Sequence, residues 1–140
     1  MLGIKPIKSV ISNSMANPKT SVLLVEDEKM LAEMYATKFT MEGYSVERAY
    51  DGQSGLDLAK QSKPDIILLD VIMPKLDGFS VLKELKKDPS LKSVPVLLLT
   101  NLGQEDDIKK GRELGATDYF VKSNHSPSEI VDKVKSILAK

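Results

Sequence analysis

Ile66-Ile67-Leu68-Leu69-Asp70 is the stretch that decides the fold. Four apolar residues run unbroken and end on a carboxylate. A strand with one wet face alternates apolar and polar residues. An unbroken run this short suits a strand covered on both faces, as in a parallel sheet with helices on either side. Val22–Val25 and Val96–Leu99 repeat the pattern, and each also ends on polar residues. Tyr44–Ala49 mixes polar and apolar residues, and Tyr119–Val121 is short. These two read as edge strands.

Helices fit between the strands. Leu31, Met34, Tyr35 and Phe39 follow a 3.6-residue period, and Gly43 stands where that helix would stop. Asp51 is placed to cap a second helix, which Pro64 limits. Val81, Leu82 and Leu85 mark a third, closed by Asp88-Pro89. A fourth, around residues 104–114, is weakened by Gly111 and ended by Gly115. The fifth opens on Ser126-Pro127-Ser128-Glu129, a capping box with proline at the first helical position. Five strands alternating with five helices predict a doubly wound α/β domain with a parallel sheet. The order 2-1-3-4-5 puts the three apolar strands inside and keeps every crossover right-handed.

The bulk properties narrow the function. The 140 residues fit one domain of ordinary globular composition, with 41% apolar and 29% charged residues. With no cysteine, a disulfide framework, a thiolate metal site and thiol chemistry are excluded. Net charge is zero, which gives no support to direct nucleic-acid binding. Neither a membrane-length apolar run nor a signal-peptide core is present, so a cytoplasmic location is expected. Residues 1–20 carry Lys5, Lys8 and Lys19 without an acid, leaving 17 basic and 20 acidic residues to the rest. The few apolar residues of this stretch do not sustain a helix alone. It is expected to be a flexible extension, with Met15 as an alternative start, and residues 21–140 to form the domain.

In open α/β sheets, ligands bind beyond the carboxyl ends of the strands. Glu26 and Asp27 follow the first strand, Asp70 the third, Thr100 the fourth and Lys122 the fifth. Singly, each has an ordinary reading as a cap, turn residue, strand-end hydroxyl or solvated charge. Together they bring three carboxylates, a hydroxyl and an ammonium to one sheet edge. Clustered carboxylates stay ionised together only when a cation neutralises them. An all-oxygen set points to Mg²⁺, with Mn²⁺ as the alternative.

With these residues in place, the chain resembles the receiver domain of two-component response regulators over residues 21–140. The resemblance is carried by Glu26-Asp27, Ile67–Asp70 with Met73-Pro74 and Asp77-Gly78, Val96–Thr100, Gly115-Ala116 and Asp118–Lys122. It implies that Asp70 is the phosphoacceptor. Glu26, Asp27, Asp70 and the backbone carbonyl of Ile72 are then metal ligands, and Lys122 and Thr100 bind the phosphoryl group. Tyr119 reports the switch by changing rotamer. The donor is a sensor histidine kinase or a histidine phosphotransfer protein. The output is a protein target, or self-association, at the face of the fourth helix, fifth strand and fifth helix.

Departures from the family pattern concern neighbours of these groups. Glu26 stands where aspartate is frequent, Asn101 where a small residue is usual, and Ser123 where proline is usual. Ile72 and Leu102, two residues after Asp70 and Thr100, are apolar where the family often orients the attacking water. They are expected to shield the phosphoryl group and slow its hydrolysis. His125 is expected to face solvent. An aspartyl phosphatase would need an acid at Ile72, and a nucleotide site would need a glycine-rich loop after the first strand. A phosphate-independent pseudo-receiver is the remaining alternative. No output domain follows, which fits a stand-alone adaptor or part of a longer protein.

Overall fold

The computed structural model describes residues 19–101, 105–124 and 126–140. Five strands, β1 (Ser21–Val25), β2 (Ser45–Ala49), β3 (Ile66–Asp70), β4 (Val96–Thr100) and β5 (Asp118–Val121), form one parallel sheet in the order β2-β1-β3-β4-β5. The helices are α1 (Lys29–Met41), α2 (Gly52–Ser62), α3 (Gly78–Lys87), α4 (Glu105–Glu113) and α5 (Pro127–Leu138). Order and direction are as the apolar runs predict, and β2 and β5 are the edges.

Side chains alternate across a strand, so an unbroken run fills two cores at once. Val22, Leu24, Ile66, Leu68, Leu97 and Leu99 face α1 and α5. Leu23, Val25, Ile67, Leu69, Val96 and Leu98 face α2 and α3. Each such side chain contributes about 1.5–3 kcal/mol of transfer free energy on burial. Register carries this alternation across the sheet, with Leu24 opposite Leu68 and Leu68 opposite Leu97.

Caps set where the helices start. Asp51 accepts the Ser54 N–H at 2.8 Å and Asp77 accepts the Ser80 N–H at 2.9 Å. Each satisfies a donor that a helix start leaves open. Ser126 donates its N–H to Glu129 Oε1 at 2.9 Å, closing one half of the expected capping box. Gly43 takes φ +93°, a left-handed conformation that stops α1.

One reading of the sequence needs correction. Met34 is not part of the buried stripe of α1. That stripe is Ala32, Tyr35, Ala36 and Phe39, while Met34 is half exposed. Two alanines let the helix lie close to the sheet, which rotates Met34 outward. Met30, Met34 and Met41 instead line an apolar groove of about 680 Å³ along α1. The chain after Lys122 forms a 3₁₀ turn over Lys122–Asn124, and no peptide bond among the described residues is cis. The extension at residues 1–18, Leu102 and His125 lie outside the described residues.

Candidate functional site

The carboxyl ends of β1 and β3 and the residue after β5 deliver Glu26, Asp27, Asp70 and Lys122 to one place, whereas β4 contributes Asn101 to the lining and its neighbour Thr100 is not part of it. Glu26, Asp27, Glu28, Asp70, Ile72, Asn101 and Lys122 line a cavity of about 220 Å³. One carboxylate oxygen from each of Glu26, Asp27 and Asp70 lies within 4.8 Å of the others. Glu26 and Asp70 are buried, whereas Asp27 reaches toward solvent.

Lys122 holds the buried pair. Its ammonium donates to Glu26 Oε1 at 2.9 Å and to Asp70 Oδ2 at 3.2 Å. The other Glu26 oxygen, Oε2, accepts the Glu28 N–H at 3.0 Å. Glu28 is the N-cap position of α1, and its own side chain makes no cap bond. The longer arm of glutamate thus spans from the fifth strand's lysine to the start of the first helix. This role for Glu28 had no signal in the sequence beyond its place after the acidic pair.

The electrostatics follow from burial and crowding. Burial first, then the charge of Glu26, pushes the Asp70 carboxyl up to about 8, with Lys122 pulling the other way. Burial disfavours the Lys122 ammonium, but its bonds and charges from Glu26 and Asp70 outweigh this and raise its pKa. Tyr35, in α1, is pushed up to about 12, chiefly by burial. Three acids and one base in a small cavity leave an excess of negative potential. A hard divalent cation with oxygen ligands fits that excess.

Thr100 ends β4 opposite Val121 and is buried. Its Oγ1 has no hydrogen-bond partner among the described residues. A buried hydroxyl without a partner keeps its hydrogen free to donate. Ile72 is 63% exposed at the cavity mouth, a large apolar side chain beside the acids. Tyr119 is half-buried on β5, away from the cavity lining, with the Arg112 guanidinium 5.2 Å from its ring centre.

Gly78 was legible only as part of a motif, and the structure gives the reason for it. Its N–H donates to the Val71 carbonyl at 2.8 Å. A Cβ there would overlap the Asp70 carbonyl oxygen and stand 2.8 Å from Val71 Cα. The start of α3 therefore sits against the backbone that carries Asp70.

Comparison with known proteins agrees with this geometry. The family description "response regulator receiver domain" matches residues 22–135. The chain is 42% identical over 120 residues to a probable transcriptional regulator ycf27 of Guillardia theta, covering 86% of this chain and 46% of that protein. It is 38% identical over 117 residues to the DNA-binding dual master transcriptional regulator RpaA of Synechocystis, covering 84% and 48%. The chain thus spans about half the length of these curated relatives. Among solved structures, a putative response regulator from Chloroflexus aurantiacus superposes with TM-score 0.82 at 35% identity, covering 87% of this chain and 99% of that one. Chemotaxis protein CheY4 of Vibrio cholerae superposes with TM-score 0.80 at 29% identity, covering 85% and 98%.

Proposed function

This chain belongs to the response regulator receiver domain family, and from that premise we propose that it is a phosphoryl-accepting switch whose acceptor is Asp70. The observation that carries this reading is the pairing of Asp70 with Lys122 at 3.2 Å, with the partnerless Thr100 hydroxyl on the neighbouring strand, one residue past the position opposite Asp70. Residues 21–140 are read as the receiver unit and residues 1–20 as an extension.

In the proposed reaction, an Asp70 carboxylate oxygen attacks the phosphorus of a phosphohistidine, in line with the leaving imidazole nitrogen. The new bond is an acyl phosphate, and the imidazole leaves with the electron pair of the broken P–N bond. Lys122 lies within reach of the transferred group and supplies positive charge to its oxygens. Thr100 donates its free hydroxyl hydrogen to one of them. Glu26, Asp27, Asp70 and the Ile72 carbonyl would hold Mg²⁺, or Mn²⁺, which supplies further charge neutralisation for the phosphoryl oxygens. Glu26 also orients Lys122, through the 2.9 Å bond that ties the ammonium to the cavity wall. The donor is a sensor histidine kinase or a histidine phosphotransfer protein, and the chain supplies acceptor chemistry rather than turnover of a free substrate.

The signal leaves as a population shift. Thr100 moves toward the phosphoryl group, Tyr119 changes rotamer, and the face of α4, β5 and α5 is altered for a protein target or a second copy. Direct contact with nucleic acid is not part of this reading, although the relatives are named as transcriptional regulators. No described helix is long and apolar enough to cross a membrane, and a cytoplasmic site of action is proposed.

Intact mass after incubation with Mg²⁺ and a small acyl-phosphate donor tests the reading. One phosphoryl increment is expected in the native chain and none in Asp70→Asn. An unmodified native chain that still binds Mg²⁺ would overturn it in favour of a phosphate-independent interaction module.

A further inference from the structure

The fourth helix is attached to the body in a different way from the other four. Among its residues Glu105–Glu113 only Gly111 is buried. A Cβ on Gly111 would fall on Leu98 Cδ1 of β4, so the helix backbone itself lies on the sheet at that point. Successive helical residues point about 100° apart. With Gly111 facing the sheet, its two neighbours project to either side. Lys110 places its ammonium 4.6 Å from the Phe79 ring centre of α3. Arg112 places its guanidinium 5.2 Å from the Tyr119 ring centre of β5. The helix thus rests on a glycine contact, with a cation over an aromatic ring on each flank.

We propose that Arg112 is a positioning residue that clamps α4 to the Tyr119 ring, with Gly111 as the pivot, so that the place of the ring sets the place of the helix. A buried apolar stripe would hold α4 in one position by packing. Gly111 is the one fully buried residue of α4, with Ile108 half-buried and Leu114, just past the helix, packed on the same core. Rotation about the glycine contact is therefore the soft coordinate, and the two cation–ring contacts set where along it the helix rests. The Tyr119 clamp is the one that can change, because Tyr119 is half-buried on an edge strand. The last step, that Asp70 modification moves this ring and so moves α4, rests on the phosphoryl-acceptor reading. The clamp itself does not.

The test uses the unmodified full chain, so it is separate from that reading. Amide hydrogen exchange is followed at residues 109–113, with the Tyr119 ring resonances, in native protein, Arg112→Ala, Tyr119→Leu and the double variant. A cation–ring contact at a partly exposed site corresponds to a factor of about two to five in a population. Exchange at 109–113 is expected to quicken by that factor in each single variant and no further in the double variant. Arg112→Lys is expected to restore most of the native protection, and Arg112→Ala to shift the Tyr119 ring. Lys110→Ala is expected to quicken exchange without shifting that ring. Additive single effects, or native exchange and an unmoved ring in Arg112→Ala, would overturn the proposal. Adding Mg²⁺ and the acyl-phosphate donor then tests transmission. With the mass increment present, the α4 amide shifts seen in native protein are expected to fall to half or less in Arg112→Ala.

Discussion

Lys122 Nζ stands 2.9 Å from Glu26 Oε1, a buried ion pair between residues 96 positions apart in sequence. It joins the last strand to the first at the sheet's carboxyl edge. Removing one partner of a buried pair leaves the other charge uncompensated, at a cost of about 3–5 kcal/mol. Lys122→Ala is therefore expected to lose about 3 kcal/mol of stability at neutral pH without metal, as read by urea unfolding. The loss is expected to shrink with added Mg²⁺, which neutralises the same charge. A loss independent of Mg²⁺ would show that the lysine acts through packing alone.

Asp70 gives a pH dependence of unusual sign. Its carboxyl is pushed up to about 8 in the folded chain, against 3.8 for the ordinary group. Between these values the folded state binds more protons than the unfolded state, so this group's contribution falls as pH rises. The contribution is fully present below about pH 4 and is lost by about pH 8, at about 1.4 kcal/mol per pH unit at most. Asp70→Asn removes the titration. The metal-free variant is expected to match the native chain near pH 4 and to exceed it in Tm progressively toward pH 8. Mg²⁺ stabilises the chain that binds it better and is expected to narrow the gap. A gap constant across this range would contradict the raised pKa.

Gly78 tests how closely the fold constrains the acceptor. The atoms that a Cβ would meet are the Asp70 carbonyl and Val71 Cα, both backbone. Backbone cannot step aside as a side-chain tip can. Gly78→Ala is expected to lose about 2 kcal/mol, within the range for overpacking, despite alanine's better helix propensity. Phosphoryl acceptance is expected to fall as well, because the strain lands on the residue carrying the acceptor. Thermal unfolding and intact mass check the two parts separately.

What the sequence discloses has a physical boundary. Strand order was readable because Val22–Val25, Ile66–Leu69 and Val96–Leu99 each fill two cores, a burden only central strands carry. The gathering of Glu26, Asp27, Asp70, Thr100 and Lys122 at one edge was readable because parallel strands all end on the same side. Met34 was misread because a period of 3.6 fixes a stripe only to within a neighbouring residue. The small Ala32 and Ala36 then decided which side faced the sheet. The close approaches at Gly78 and Gly111 leave no periodic mark, since they depend on where another element's backbone lies. Gly111 looked like a weakness in α4 and is its point of contact.

The lifetime of the phosphoryl group depends on who meets the water. Ile72 is 63% exposed at the cavity mouth, a position where an apolar side chain can cover the phosphorus but cannot orient a nucleophile. Leu102 shares that apolar character in sequence but lies outside the described residues. Hydrolysis needs a water in line with the P–O bond to Asp70, and a polar side chain that holds one there raises the rate. The double variant Ile72→Asn, Leu102→Glu is expected to shorten the phosphoryl lifetime by about tenfold, below the 10²–10⁴ of a fully positioned acid–base group. The readout is decay of the mass increment after the donor is removed. Phosphorylation itself is expected to proceed, since neither side chain is a charged or hydroxyl group of the site. If the native chain loses the group as fast as the variant, the two apolar residues do not shield it, and the exposed Ile72 must be explained by contact with a partner.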